Sequence, residues 1–397
     1  MNTNIVLAAV AACVASLATG AAHAEIPDEV VVGGIFDITG SWAAEGEASK
    51  NAAVQAVADF NDYLDGIGAD WRMTMKVEDA QAQGSVAFDK ITALRGTGVN
   101  LMLGMGFSSH ITVAASYIEQ NNILVISHAS QALNLATDDS VFRLVPNDGN
   151  QAFAIDAMLD DANIEVLVLV TRADAWGDGL RNSMTEMFNG TVVEGIRYDV
   201  PAKDLSAEVG VLDQQVGELI DQYGADKIGV LFVGVDEFLL MIEQMAFYEN
   251  VKDVRWFGSN TQGQNAELTQ NESALEFVEA TMFTATRQQL GMTNHITTHV
   301  DTFMDDMYGY DPTTYTYAAY DSVWLLGTAI LQAGSTDADT LTAAIPLVAQ
   351  HMIGAAGQLL LTEHGDLVPA AYDIRQIRDG EWTDIAVYDP ATRSIVR

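Results

Sequence analysis

Positive charge is what this chain has least of. Only 18 of its 397 residues are Lys or Arg, against 55 Asp or Glu, giving a formal net charge of −37. Such a surface repels phosphate backbones and anionic lipid headgroups, which excludes nucleic acid and a peripheral membrane role. The acid is spread along the whole chain, the pattern of a surface kept hydrated in a salty medium where repulsion is screened. Steering of a cationic solute is the sharper reading of the same charge. Cysteine is nearly missing as well: the single Cys13 leaves no internal disulfide to form. Proline is scarce, with 7 residues, whereas 32 glycines suit many short strand-to-helix turns. No apolar run reaches the roughly 18 residues that span a bilayer. The sequence also lacks a Gly-x-Ser-x-Gly elbow, a His-Glu-x-x-His pair and a Gly-x4-Gly-Lys phosphate loop. No catalytic residue, metal ligand or cofactor is therefore assigned, and the expectation is a protein that is not an enzyme.

What is present begins with 24 residues free of Asp, Glu, Lys and Arg. An apolar stretch from Ile5 to Leu17 leads to Ala22-His23-Ala24 before Glu25, the small-x-small pattern of a secretory cleavage site. Residues 1–24 are read as a signal peptide, which places the mature chain in the periplasm or at the cell exterior. Val10-Ala11-Ala12-Cys13 loosely resembles a lipobox, and cleavage there would make Cys13 an acylated anchor instead.

From Val30 onward, strand-like and helix-like runs alternate about every 25 residues. Val30-Val31-Val32-Gly33-Gly34-Ile35-Phe36 reads as a buried strand, and a helix with Val54, Val57, Asn61 and Leu64 on one stripe follows. Met73 to Val77, Leu101-Met102-Leu103 and Ile123-Leu124-Val125-Ile126 read as further strands. The cycle restarts at Val166-Leu167-Val168-Leu169-Val170, with later strands at Ile228 to Val233 and Val254 to Phe257. Alternation of this kind implies parallel sheets covered on both faces, and two cycles imply two similar lobes. Near the end, Ile374 to Ile377, Asp379-Gly380 and Trp382 read as a hairpin. Met241, Met245 and Phe247 read as core filler, and His295 with His299 as a solvated pair.

Ligands of open parallel sheets bind beyond the carboxyl ends of the strands. Several ends share small, hydroxylic, glycine-rich segments: Gly104 to His110, Ser127 to Gln131, Thr171 to Gly177, and Gly258 to Gly263. Hydroxyls and free N–H groups at helix starts can hold a carboxylate without a protein cation. They are also ordinary helix caps, and only their recurrence in both halves favours a cleft.

The chain resembles the branched-chain amino-acid-binding family of periplasmic receptors, from about Val30 to Trp382. The resemblance rests on Phe36-Asp37-Ile38-Thr39-Gly40 with Gly46-Glu47, Val125-Ile126-Ser127, and Phe142-Arg143-Leu144-Val145-Pro146-Asn147-Asp148. Trp176-Gly177-Asp178-Gly179-Leu180, Trp256-Phe257-Gly258-Ser259, Tyr317 to Leu326 and His364-Gly365-Asp366-Leu367 complete it. It implies an α/β type I periplasmic-binding-protein fold: two Rossmann-like lobes with parallel sheets, joined by a three-segment hinge. The lobes are expected to be 25–146 plus 284–350 and 147–283 plus 351–397. The implied function is that of an ABC importer's substrate-binding protein, closing on an amino acid or related solute and delivering it to a membrane permease as a monomer. A sensing subunit for amides, urea or similar solutes is the alternative.

The resemblance also assigns site residues. The carboxylate-binding serine falls at Ser108, and the second anchoring loop at Ala129, Ser130 and Gln131. The hinge aspartate falls at Asp148, and a closing aromatic at Trp176 in place of the more usual Tyr. The acid that pairs with a ligand ammonium falls at Asn260, a neutral amide that forfeits the charge-assisted bond, which is about twice as strong. Glu45, where relatives place an aromatic, is the candidate replacement acid.

Overall fold

The computed structural model describes residues 26–200, 203–309 and 311–397; the expected signal segment, its cleavage site and Cys13 lie outside the described residues. The first sheet is built from β1 (Glu29–Phe36), β2 (Arg72–Asp79), β3 (Leu101–Gly104), β4 (Leu124–Ser127) and β5 (Val141–Arg143). The second begins with β6 (Val166–Arg172), β7 (Thr191–Tyr198), β8 (Ile228–Val233), β9 (Arg255–Gly258) and β10 (Thr284–Gln288). A short ribbon, β11 (Ile353–Gly354) and β12 (Gly357–Gln358), precedes β13 (Tyr372–Arg378), β14 (Glu381–Asp389) and β15 (Ser394–Val396).

All pairings in the first sheet are parallel, in the order β2-β1-β3-β4-β5. The same order recurs in the second as β7-β6-β8-β9-β10, again parallel, and β13, β14 and β15 extend it antiparallel. Strands β6 and β8 are buried along their whole length, which is why they read as unbroken apolar runs. This strand order reverses beside β1 and beside β6, so each lobe has a crevice at the carboxyl ends of its central strands.

The first core is closed by two long helices lying together, Ala43–Ile67 and Thr314–Ala333. Their approach depends on small residues: a Cβ on Gly327 would sit 2.3 Å from the Phe60 ring. The buried face of the first helix carries Ala53, Ala56, Phe60 and Leu64, while Val54 is 47% exposed. The expected stripe through Val54 and Val57 is thus rotated by about a residue, because alanines rather than valines allow the close packing. Asn61 is spent on the sheet, exchanging two hydrogen bonds of 2.9 Å with the Met73 backbone. In the second lobe Met241 and Met245 are core residues as expected, but Phe247 is 87% exposed.

Two of the expected lobe boundaries move. Strand β10 pairs with β9 and β13 in the second sheet, so the crossing expected before 284 falls after Gln288. Residues beyond 350 do not pass at once to the second lobe: Ala355, Ala356, Leu359 and Leu367 are buried in the first core. Arg143 fastens that stretch through a fully buried ion pair with Asp366 at 2.6 Å, beside the bond from Leu367 N–H to the Arg143 carbonyl. The return crossing is therefore the segment 368–371, just before β13. The tail hairpin turns as expected, with Asp379 at φ 52° and Gly380 at φ 80°.

Candidate functional site

The carboxyl ends of β1 and β3 face those of β6 and β8, and the lobes are closed on each other. Several contacts cross between them, among them Gln264 Oε1 accepting from Thr314 N–H at 2.8 Å and from Thr314 Oγ at 3.0 Å. The Trp42 N–H donates to Asp236 Oδ2 at 2.5 Å, Asn260 Nδ2 donates to Tyr315 Oη at 2.9 Å, and the Arg172 guanidinium lies 4.7 Å over the Phe107 ring. Trp42 takes a left-handed backbone (φ 70°) where β1 hands over to its helix, a conformation uncommon for a bulky residue. That turn lifts its indole into the cleft, edge-on to both Phe107 and Tyr315.

Trp42 borders two cavities. The inner one, of about 20 Å³, is lined by Gly106, Phe107, Ser108, Ala129, Gln131, Trp176 and Tyr315 among others. It has room for little more than a water. The outer one, of about 470 Å³, lies between Glu45, Asn51 and Thr313 of the first lobe and Asp236, Thr261 and Glu267 of the second. That volume is in the range of small-molecule sites.

Four expected site residues, Ser108, Ala129, Gln131 and Trp176, meet at the inner cavity, and Glu45 lines the outer one. Asp148, Ser130 and Asn260 line neither. The expected nest of donors for an anionic head is turned inward: Ser108 Oγ accepts from Ser130 Oγ and from Ala132 N–H, each at 3.1 Å. Gln131 donates to the Pro146 carbonyl at 3.1 Å and accepts from Tyr315 Oη at 3.0 Å, an anchor inside the protein. Asn260 is equally engaged: its N–H donates to Gln151 Oε1 at 2.6 Å, and its Oδ1 accepts from Gln288 N–H at 2.5 Å. These side chains wire the hinge together, and the ammonium partner expected at Asn260 has no free atom to offer.

Asp148 sits at the first crossing, fully buried, its N–H bonded to the Gln131 carbonyl at 2.8 Å and its Oδ1 accepting from Gln151 at 2.8 Å. Burial pushes its carboxyl up to about 8, opposed first by the neighbouring Trp176 indole. Glu45 is also buried, yet three hydroxyls serve it: Ser49 at 2.9 Å, Thr316 at 3.1 Å and Thr313 at 2.7 Å. Burial raises it to about 7 against those hydrogen bonds, and the facing Asp236 adds to the rise. Asp236 is raised to about 6, again mainly by burial, with the Trp42 N–H opposing. Behind the inner cavity His110 Nε2 lies 3.5 Å from Asp37, and burial depresses His110 and His128 to about 3 and 4. Burial thus favours the neutral form of both rings. His299 is paired on the surface with Asp59 at 2.9 Å.

Sequence reading missed Trp42, Asp236 and Tyr315. Trp42 stands two residues after Gly40, and Tyr315 stands two residues before the matched Tyr317 segment. Asp236 sits at the end of β8, a rim left out of the reading because Gly234-Val235-Asp236 carries no hydroxyl.

Two facing α/β lobes, hinged three times with a cavity between them, define a solute-binding clamp. The family profile described as periplasmic binding protein matches residues 29–379, and the chain belongs to that family. The chain is 24% identical to Leu/Ile/Val-binding protein homolog 3 of Brucella melitensis over 369 residues, covering 89% of this chain and 92% of that protein. Its fold is shared with a leucine binding protein of Thermotoga maritima, with TM-score 0.77, 19% identity and coverage of 91% and 99%. It is shared too with an ABC transporter solute binding protein of Rhodopseudomonas palustris solved with 3,4-dihydroxybenzoic acid, with TM-score 0.71, 19% identity and coverage of 92% and 98%. The protein is thus a periplasmic binding protein. No described helix is long and apolar enough to cross a membrane.

Proposed function

We propose that the protein is the receptor of an ABC importer, capturing an amino acid or related small solute between its lobes and presenting it to a membrane permease. The observation that carries this reading is the outer cavity of about 470 Å³, whose walls come from both lobes and therefore form only when the clamp shuts. Ser108, Ala129, Gln131 and Trp176 would join that space when the hinge opens, since the inner cavity is its narrow continuation past Trp42. The relatives' names support the solute class: one is called a Leu/Ile/Val-binding homologue, and another was solved with an aromatic acid.

Titration calorimetry of the mature chain against amino acids, aromatic acids, amides and amines tests the reading. One-to-one binding of a solute, with a contraction in small-angle scattering, is the expected result. Binding without turnover over a long incubation is also expected. Failure to bind any member, in protein whose folding has been verified in salt, would overturn it.

A further inference from the structure

The outer cavity is acidic from both sides. Glu45, Glu47 and Asp311 line it from the first lobe and Asp236 and Glu267 from the second, and no described lining residue is Lys, Arg or His. The general acidity of the chain accounts for carboxylates in water, such as Glu47 and Glu267. It does not account for Glu45, which is 8% exposed and placed by three hydroxyls at the start of a helix. Nor does it account for Asn51, one helical turn and a half further on. Asn51 is 6% exposed on the cavity wall, and its carboxamide nitrogen has no hydrogen-bond partner. A buried carboxamide without a partner costs about 1–3 kcal/mol unless something else satisfies it.

Closing the clamp brings Glu45 of one lobe toward Asp236 of the other. Two like charges approaching across a low-dielectric gap oppose closure, and a positive charge between them reverses the sign. An inorganic ion does not fit this role. No group of three or more Asp, Glu, His or Cys among the described residues is placed to hold a metal, and the space is far larger than an ion. The alternative anchor for an ammonium, Asn260, is occupied by protein partners on all its polar atoms.

Resting on the receptor reading, we infer that the solute is a small organic cation, an ammonium or guanidinium compound, bound in the outer cavity between Glu45 and Asp236 with Asn51 as a polar contact. The cation draws the lobes together, and the Trp42 indole forms the wall against which its apolar part lies. A fixed aromatic face beside a cation adds to the attraction.

The test is calorimetric titration of the mature chain with putrescine, agmatine, choline and arginine, alongside leucine, isoleucine and benzoate. At least one of the four cations should bind, and Glu45→Gln or Asp236→Asn should weaken it about tenfold or more, as loss of a charge-assisted contact does. Both substitutions keep the shape and the hydrogen-bonding oxygen, and thermal denaturation verifies that each variant is folded. Binding of leucine, isoleucine or benzoate with none of the cations would overturn the inference and leave the receptor reading standing. Cation binding that is unchanged in both variants would overturn the site. Absence of binding by all seven compounds would overturn the inference, while the receptor reading falls only when the wider panel of amino acids, aromatic acids, amides and amines also fails.

Discussion

Tyr315 links the two lobes of the closed clamp. Its hydroxyl donates to Gln131 and accepts from Asn260, which belongs to the opposite lobe. Tyr315→Phe strips a partner from two buried amides at once, each worth about 1–3 kcal/mol when left unmet. A loss of about 2 kcal/mol in urea denaturation is expected, together with weaker solute binding; an unchanged midpoint would show that the amides find other partners. Asp366 is the matching case away from the cleft. It takes the Arg143 guanidinium at 2.6 Å and Asn147 Nδ2 at 2.9 Å, both beside the first crossing. Asp366→Ala leaves a buried guanidinium without its counter-charge and should cost about 3–5 kcal/mol in the same measurement.

The strands and helices were largely legible because their burial is written in their side chains. β8 and the first five residues of β6 are apolar throughout, and the β13–β14 turn is announced by Asp379-Gly380. The site was legible in part. Ser108, Ala129 and Gln131 stand where a strand end meets a helix, a place that sequence can specify. What their hydrogen bonds do is set by residues far along the chain, such as Tyr315, and no local pattern records that. The misplaced lobe boundaries have the same origin. Ala355 and Ala356 carry no strong preference, and what ties them to the first lobe is distant in the chain: their N–H groups donate to the buried Asp321 carboxylate at 2.6 and 2.9 Å, and the Ala355 carbonyl accepts from Thr297 Oγ at 2.7 Å. One rim is fixed by backbone alone. At the end of β3, Gly104 has φ +102°, and a Cβ there would meet the Ile35 carbonyl at 2.1 Å. Gly104→Ala should abolish soluble folded protein. Gly98→Ala, at φ +92° with open space around it, should cost only about 1 kcal/mol by chemical denaturation. Equal effects would mean that the approach to Ile35 relaxes freely.

The whole molecule carries buried acids whose protons are bound more tightly when folded. Burial raises Asp37, Glu45 and Asp321 to about 7 and Asp148 to about 8. Between about pH 8 and the ordinary carboxylate range the folded chain therefore holds protons that the unfolded chain has released, so stability rises as pH falls. Below about 6.5, His110 and His128 act the other way, since the unfolded chain protonates them and the folded chain does not. The thermal midpoint at constant high salt should climb as pH falls from 8, and below about pH 6.5 it should go on climbing, held back by the two histidines against the four acids; a midpoint that falls between pH 8 and 6.5 contradicts the assignment. The net charge of −37 predicts a second trend, a midpoint that rises with added KCl as self-repulsion is screened. A final consequence follows from the helix Thr314–Ala333 lying over the first sheet. During synthesis the amino-terminal half waits with that flank of its sheet bare until most of the polypeptide has emerged. A nascent chain halted near residue 300 would then be a sticky intermediate that needs a chaperone's shelter, not a half-sized receptor.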